Sequence, residues 1–218
     1  MFKLGNTHTY TKKEEVVNAI THGVGIPFGI IAIFLLVIAS KFHGHMTHLI
    51  SASIYGITLL FLYSCSTLLH VFQNERIKNI FEILDHAAIY LFIAGTYTPL
   101  MVIVVDGLRG WILLGIIWAT AIAGVIFKVF YAKKFIVLST LFYILMGWIV
   151  IFVLDPILSK IPTPGVVLLV FGGLLYTLGT VFYIWRTFYY HHAVWHLFVL
   201  VASIAHFLTI LLYVIPLS

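Results

Sequence analysis

Residues 192–215 read HAVWHLFVLVASIAHFLTILLYVI, a run with no Asp, Glu, Lys or Arg that nevertheless carries His192, His196 and His206. As a helix it is long enough to cross a hydrocarbon core of about 30 Å. Apolar runs of the same kind occupy residues 22–40, 49–72, 83–105, 110–130, 135–154 and 164–185. The whole chain of 218 residues is 62% hydrophobic and only 9% charged, which excludes a soluble globular protein. The fold class that follows is all-α, an integral membrane bundle of seven transmembrane helices.

Basic residues set the expected direction of those helices, because cytoplasmic loops retain Lys and Arg. Lys3, Lys12, Lys13, Arg76, Lys78, Lys128, Lys133, Lys134 and Arg186 fall on the side of the amino terminus, and only Lys41, Arg109 and Lys160 fall on the other. The amino terminus is therefore expected in the cytoplasm and the carboxyl terminus outside. The net charge of +5 reads as topology, with no basic stripe to present to nucleic acid. Residues 1–218 read as a single seven-helix domain, with 1–20 as a short cytoplasmic segment before an uncleaved first helix. The lone Cys65 permits no intramolecular disulfide. Gly95, Gly115, Gly124, Gly147, Gly172, Gly173 and Gly179 lie inside spans, where small residues let helices approach, and Pro27 and Pro99 are expected to kink theirs.

Given that topology, four polar residues converge in depth. His70 ends the second helix, Asp85 lies in the first turn of the third, and His192 and His196 occupy the first two turns of the seventh. Residues four apart share a helix face, so His192 and His196 can grip one ion, and Ser66 lies one turn deeper on the face of His70. Ionisable groups in spans are costly and usually functional. Three neutral imidazoles and one exchangeable water suit zinc, and the open fourth position is what marks catalytic zinc. Water so held loses a proton near neutral pH, and a nearby carboxylate such as Asp85 can accept that proton and pass it to a leaving group. This is the chemistry of amide or ester hydrolysis. At such a depth the substrate would be a membrane lipid that enters sideways.

Spacing alone also allows a plainer reading, in which these histidines sit at the headgroup level or bridge helices. His192 to His196 lacks the intervening glutamate of the zinc-protease helix. The coincidence of depth across three helices favours the metal site.

Several segments add a further signal: Glu14-Glu15 with Asn18-Ala19-Ile20-Thr21-His22-Gly23; Ser66-Thr67-Leu68-Leu69-His70; Asp85-His86-Ala87-Ala88-Ile89-Tyr90 with Ala94-Gly95-Thr96-Tyr97-Thr98-Pro99; and His192-Ala193-Val194-Trp195-His196 with His206-Phe207. In this order, over nearly the whole chain, they resemble the bacterial hemolysin III proteins. Those are grouped with the adiponectin and progestin receptors and resemble the alkaline ceramidases more distantly. The resemblance implies a multi-pass protein of the bacterial plasma membrane with one zinc ion per chain. It implies His70, His192 and His196 as ligands, Ser66 beside them, and Asp85 holding or activating the water on the zinc.

Three function classes follow. A zinc-dependent hydrolase of a membrane lipid is preferred; the alternatives are a cytolytic, pore-forming protein and a membrane-state sensor or receptor with structural zinc. Among the other polar residues, Glu15, Asn18 and His22 read as supports of the metal site or as an interfacial cluster. Ser203 shares the stripe of His196, His86 is expected to point away from Asp85, and His206 is expected to bond between helices. His43, His45 and His48 are expected to cluster in the first external loop, and His8 and His191 to face solvent or the interface.

Overall fold

The computed structural model describes residues 10–43, 46–131 and 134–217, and these form helices without a strand among them. The helices are α1 (Lys12–Gly23), α2 (Gly25–Phe42), α3 (Met46–Val71), α4 (Glu75–Pro99), α5 (Gly107–Tyr131), α6 (Ile136–Gly147), α7 (Leu154–Lys160), α8 (Thr163–Ile184) and α9 (His191–Thr209). Together with short π and 3-10 extensions they make seven spans: Lys12–Phe42, Met46–Val71, Glu75–Val105, Gly107–Tyr131, Ile136–Lys160, Thr163–Ile184 and His191–Val214.

The two prolines act as expected. Pro27 has no N–H to offer the carbonyl of Gly23, and the first span breaks there into α1 and α2. Pro99 likewise ends α4, which runs on as a π-helical turn over Leu100–Val105. The fifth span tightens to 3-10 geometry over Trp148–Val153. There the Tyr97 hydroxyl donates to the Gly147 carbonyl at 2.6 Å and accepts from the Val150 N–H at 2.8 Å.

The first span starts ten residues earlier than its apolar run, because a capping box begins the helix. The Thr11 side chain accepts from the Glu14 N–H, and the Glu14 carboxylate takes the Thr11 N–H at 2.9 Å. α1 is polar on the face it buries, with Glu14, Glu15, Asn18 and His22 turned against α3 and α9. The residues of 12–20 are therefore part of the bundle rather than a tail.

α4 is the central helix. One core cluster gathers Tyr97, Met101, Val104, Ile117 and Ile157 on one side of it, and another gathers Leu36, Tyr55, Leu59, Phe92 and Ile210 on the other. Large apolar side chains such as Phe34, Trp111, Phe152 and Leu178 face outward, which suits a surface solvated by lipid. Four of the seven glycines are packing points: Gly95 against Thr58, Gly124 against the Tyr90 ring, Gly172 against the His206 ring, and Gly179 against Trp195 and Phe198. A Cβ at Gly115, Gly147 or Gly173 would meet nothing within 4 Å, so packing does not explain those three. Lys128, counted among the charges on the amino-terminal side, is fully buried on α5 and donates to the Ser139 hydroxyl at 2.8 Å.

Candidate metal centre

His70 occupies the last turn of α3, and His192 and His196 the first two turns of α9. All three are buried, and one ligand nitrogen from each lies within 4.8 Å of the other two. Their ring centroids are 4.4 to 5.3 Å apart. Helix α9 is aimed by Tyr190, whose left-handed backbone (φ 64°) turns the chain sharply into it.

Hydrogen bonds settle which nitrogen faces the cluster for two of the three rings, His70 and His196. His70 Nδ1 lies 2.6 Å from Glu15 Oε2, a carboxylate that can only accept, so Nδ1 carries the proton and Nε2 the lone pair. The other Glu15 oxygen is held by Lys78 Nζ. His196 Nδ1 donates toward the Asn18 carbonyl at 3.2 Å and the Thr21 hydroxyl at 3.0 Å, which leaves its Nε2 as the acceptor. His70 Nε2 and His192 Nδ1 are buried with no hydrogen-bond partner among the described residues. Each such orphan costs about 1–3 kcal/mol, and a cation held by the cluster would relieve that cost. This donor set fits a divalent metal.

Glu15 thus orients the His70 ring, as an outer carboxylate would at a metal site. Glu15→Ala is expected to weaken metal affinity by about 10–100-fold, with Glu15→Gln in between, as measured by competition with a calibrated chelator. Wild-type affinity in Glu15→Ala would refute that role.

Asp85 is not among the three close ligands. Because Asn74 caps α4 and the helix begins at Glu75, Asp85 lies about three turns in rather than in the first turn. It still reaches the site: its carboxylate lies beside the Ser66 hydroxyl, and both line one cavity with His192 and His196. Ser66 Oγ is also 2.6 Å from His22 Nδ1. The His22 ring stacks on His196 with centroids 3.5 Å apart, and its Nε2 has no partner among the described residues. Glu15, Asn18 and His22 each touch the three-histidine cluster, Glu15 and Asn18 by hydrogen bonds to His70 and His196 and His22 by stacking on His196.

Tyr10 was not legible in the sequence, where it is a lone tyrosine. Its ring stands 5.2 Å from that of His192 and 5.9 Å from those of His70 and His191.

His86, His206 and Ser203 are not part of the three-histidine cluster. His86 bonds to the Tyr183 hydroxyl at 2.8 Å and donates to the Glu82 carbonyl at 2.6 Å. His206 makes the expected bond between helices, to the Leu169 carbonyl at 3.0 Å. Ser203 shares a hydrogen bond with Tyr176 and is fully buried. Two expectations fail. His191 does not face solvent; it is fully buried and donates to the Phe182 carbonyl at 3.0 Å, because the short turn after α8 tucks it back. His48 is not in the external loop; it lies in the first turn of α3 and donates to the Leu217 carbonyl at 2.8 Å. His8 and His45 lie outside the described residues.

The cluster stands at the head of a cavity of about 280 Å³. Beyond His22, Ser66, Asp85, His192 and His196 the walls turn mainly apolar, with Leu62, Ile89, Phe92, Leu100 and Val199, and reach Ile157 and Val166 toward the other membrane face. Ile151, Leu154 and Val170 both line the cavity and are 40–52% exposed, so it opens sideways between the fifth span and α8.

Seven spans around a buried tri-histidine centre with an apolar chamber define a multi-pass membrane protein with a candidate metal site. The chain belongs to the haemolysin III family: the family model described as "Haemolysin-III related" matches residues 10–207. It is 46% identical over 204 residues to Hemolysin-3 of Bacillus cereus, covering 94% of this chain and 93% of that one. It is 45% identical over 204 residues to the Hemolysin-3 homolog of Bacillus subtilis (strain 168), covering 94% and 96%. A human relative, monocyte to macrophage differentiation factor, is 31% identical over 203 residues, covering 90% of this chain and 83% of that one. The protein is a multi-pass integral protein of the cell membrane.

Proposed function

We propose that this protein is a zinc-dependent hydrolase of a membrane lipid amide or ester, with its acyl chain in the apolar cavity. The observation that carries the reading is the meeting of three metal-competent imidazole nitrogens within 4.8 Å at the head of a cavity that opens toward lipid. Three neutral imidazoles suit zinc, and the other divalent metals that imidazole accepts are separated from it by geometry and availability. Zinc held there would polarise the scissile carbonyl and acidify a water. The chain's own residues do the rest. Asp85 accepts the proton of the attacking water and returns it to the departing amine or alcohol. Ser66, beside Asp85 and bonded to His22, holds the polar end of the substrate in place. The long apolar wall excludes water from the chain and selects lipid. With the basic residues on the amino-terminal side, the reaction would take place in the cytoplasmic leaflet.

The test is to incubate the zinc-loaded protein in lipid nanodiscs with a panel of ceramides and acyl esters and to follow released fatty acid by mass spectrometry. Release from at least one member is expected. A metal-replete protein that releases none would overturn the reading. A second reading, a sensor or receptor in which the ion is structural, is favoured by the near-complete burial of His70 and His196, at 2% and 1% exposure.

A further inference from the structure

The metal centre has two approaches of opposite character. One is the cavity, whose walls beyond the cluster are mainly apolar. A hydrated divalent ion would have to shed most of its water there against mainly apolar walls, with no carboxylate among the residues lining the side opening, at great cost. The other is the membrane face at which α1, α4 and α9 begin and α3 ends. That face is polar: Glu14, Glu15 and Lys78 surround it, with Arg186 on the turn before α9.

Among the described residues, the Tyr10 ring stands across this second approach. The Tyr10 ring covers His70, His191 and His192 at 5.2 to 5.9 Å. A clamp on the next residue helps to fix its position. Glu14 Oε2 takes the N–H and the hydroxyl of Thr11 at 2.9 and 2.8 Å, while Glu14 Oε1 accepts the N–H of Tyr190 at 3.2 Å. One carboxylate thereby ties the start of the first helix to the turn that launches α9, and Tyr10 is held across the gap.

We propose that this clamped segment is the port through which the metal ion is loaded and released, with Tyr10 as the side chain that must swing aside for it to pass. Lipid and metal then reach the same centre by separate routes, lipid through the side opening and metal past Tyr10. The proposal rests on the tri-histidine site binding a metal, but not on any hydrolytic activity.

A port and a ligand support differ in kinetics. If Tyr10 only blocks the path, Tyr10→Ala speeds loading and release by the same factor and leaves the dissociation constant unchanged. If Tyr10 merely steadies the imidazoles, release alone quickens and affinity falls. The experiment loads the purified full chain in nanodiscs with zinc, adds EDTA, and follows zinc per chain by elemental mass spectrometry after rapid desalting, with apo protein reloaded in parallel. Tenfold or greater acceleration of both steps is expected in Tyr10→Ala, with wild-type rates in Tyr10→Phe, which keeps the ring. Val170→Trp, which narrows the side opening, should leave both rates as in wild type. Unchanged exchange in Tyr10→Ala, faster release with proportionately weaker affinity, or slowed exchange in Val170→Trp would each overturn the port. Absence of zinc from wild-type protein would instead remove the metal site itself.

Discussion

Alanine at His70 or at His196 is expected to empty the metal centre. Wild-type protein purified without chelators should carry about one zinc per chain, the stoichiometry of a single three-histidine site, and either variant close to none. The effect should be large because each ring is fixed before the ion arrives. His70 is turned by Glu15, and His196 by Asn18 and Thr21. Loss of one such ligand leaves two, and affinity should fall by well over the roughly hundredfold attached to an outer support. Thermal unfolding gives a second reading, since a ligand at 100 times its dissociation constant stabilises by about 2.7 kcal/mol. Chelation should lower the wild-type midpoint and leave that of His196→Ala where it was. Wild-type protein with no zinc, or variants with a full complement, would defeat the assignment.

Asp85→Asn separates a catalytic centre from a structural one. The carboxylate lies beside Ser66 in the cavity wall and outside the close trio of ligands. Metal content should therefore stay at the wild-type value, while lipid hydrolysis falls about 10²–10⁴-fold, the usual worth of a general base. Asparagine keeps the volume and can still accept from Ser66, so a folding defect would not mimic this pattern. Retained turnover in Asp85→Asn would favour the structural reading of the ion. Loss of metal would make Asp85 a ligand.

The supports of the site were partly written in the chain. Thr11 and Glu14 have the spacing of a capping box, and Glu15, Asn18 and His22 recur at three and four residues along one helical face. Most of them fell in the short segment placed before the first helix, because a hydropathy window ends a span where polar residues begin. A helix whose polar face is buried against other polar residues escapes that rule. Lys128 was counted only for the side of the membrane it marks, yet it is buried inside the bundle, where Ser139 supplies a partner.

The sequence by itself determined the seven spans and the convergence of His70, Asp85, His192 and His196 toward one membrane face. Both follow from lengths and periods along a single chain, since the thickness of the bilayer fixes where each helix must begin and end. Only the tertiary structure decided which nitrogen His70 and His196 turn to the cluster, that Tyr10 lies against it, that His191 is buried, and that Asp85 stands beside rather than within the trio. Those depend on partners far away in sequence: Glu15 lies 55 positions from His70, and Thr21 lies 175 from His196. A ring's orientation is set by what another helix presents to it, and that is known only once the helices are packed.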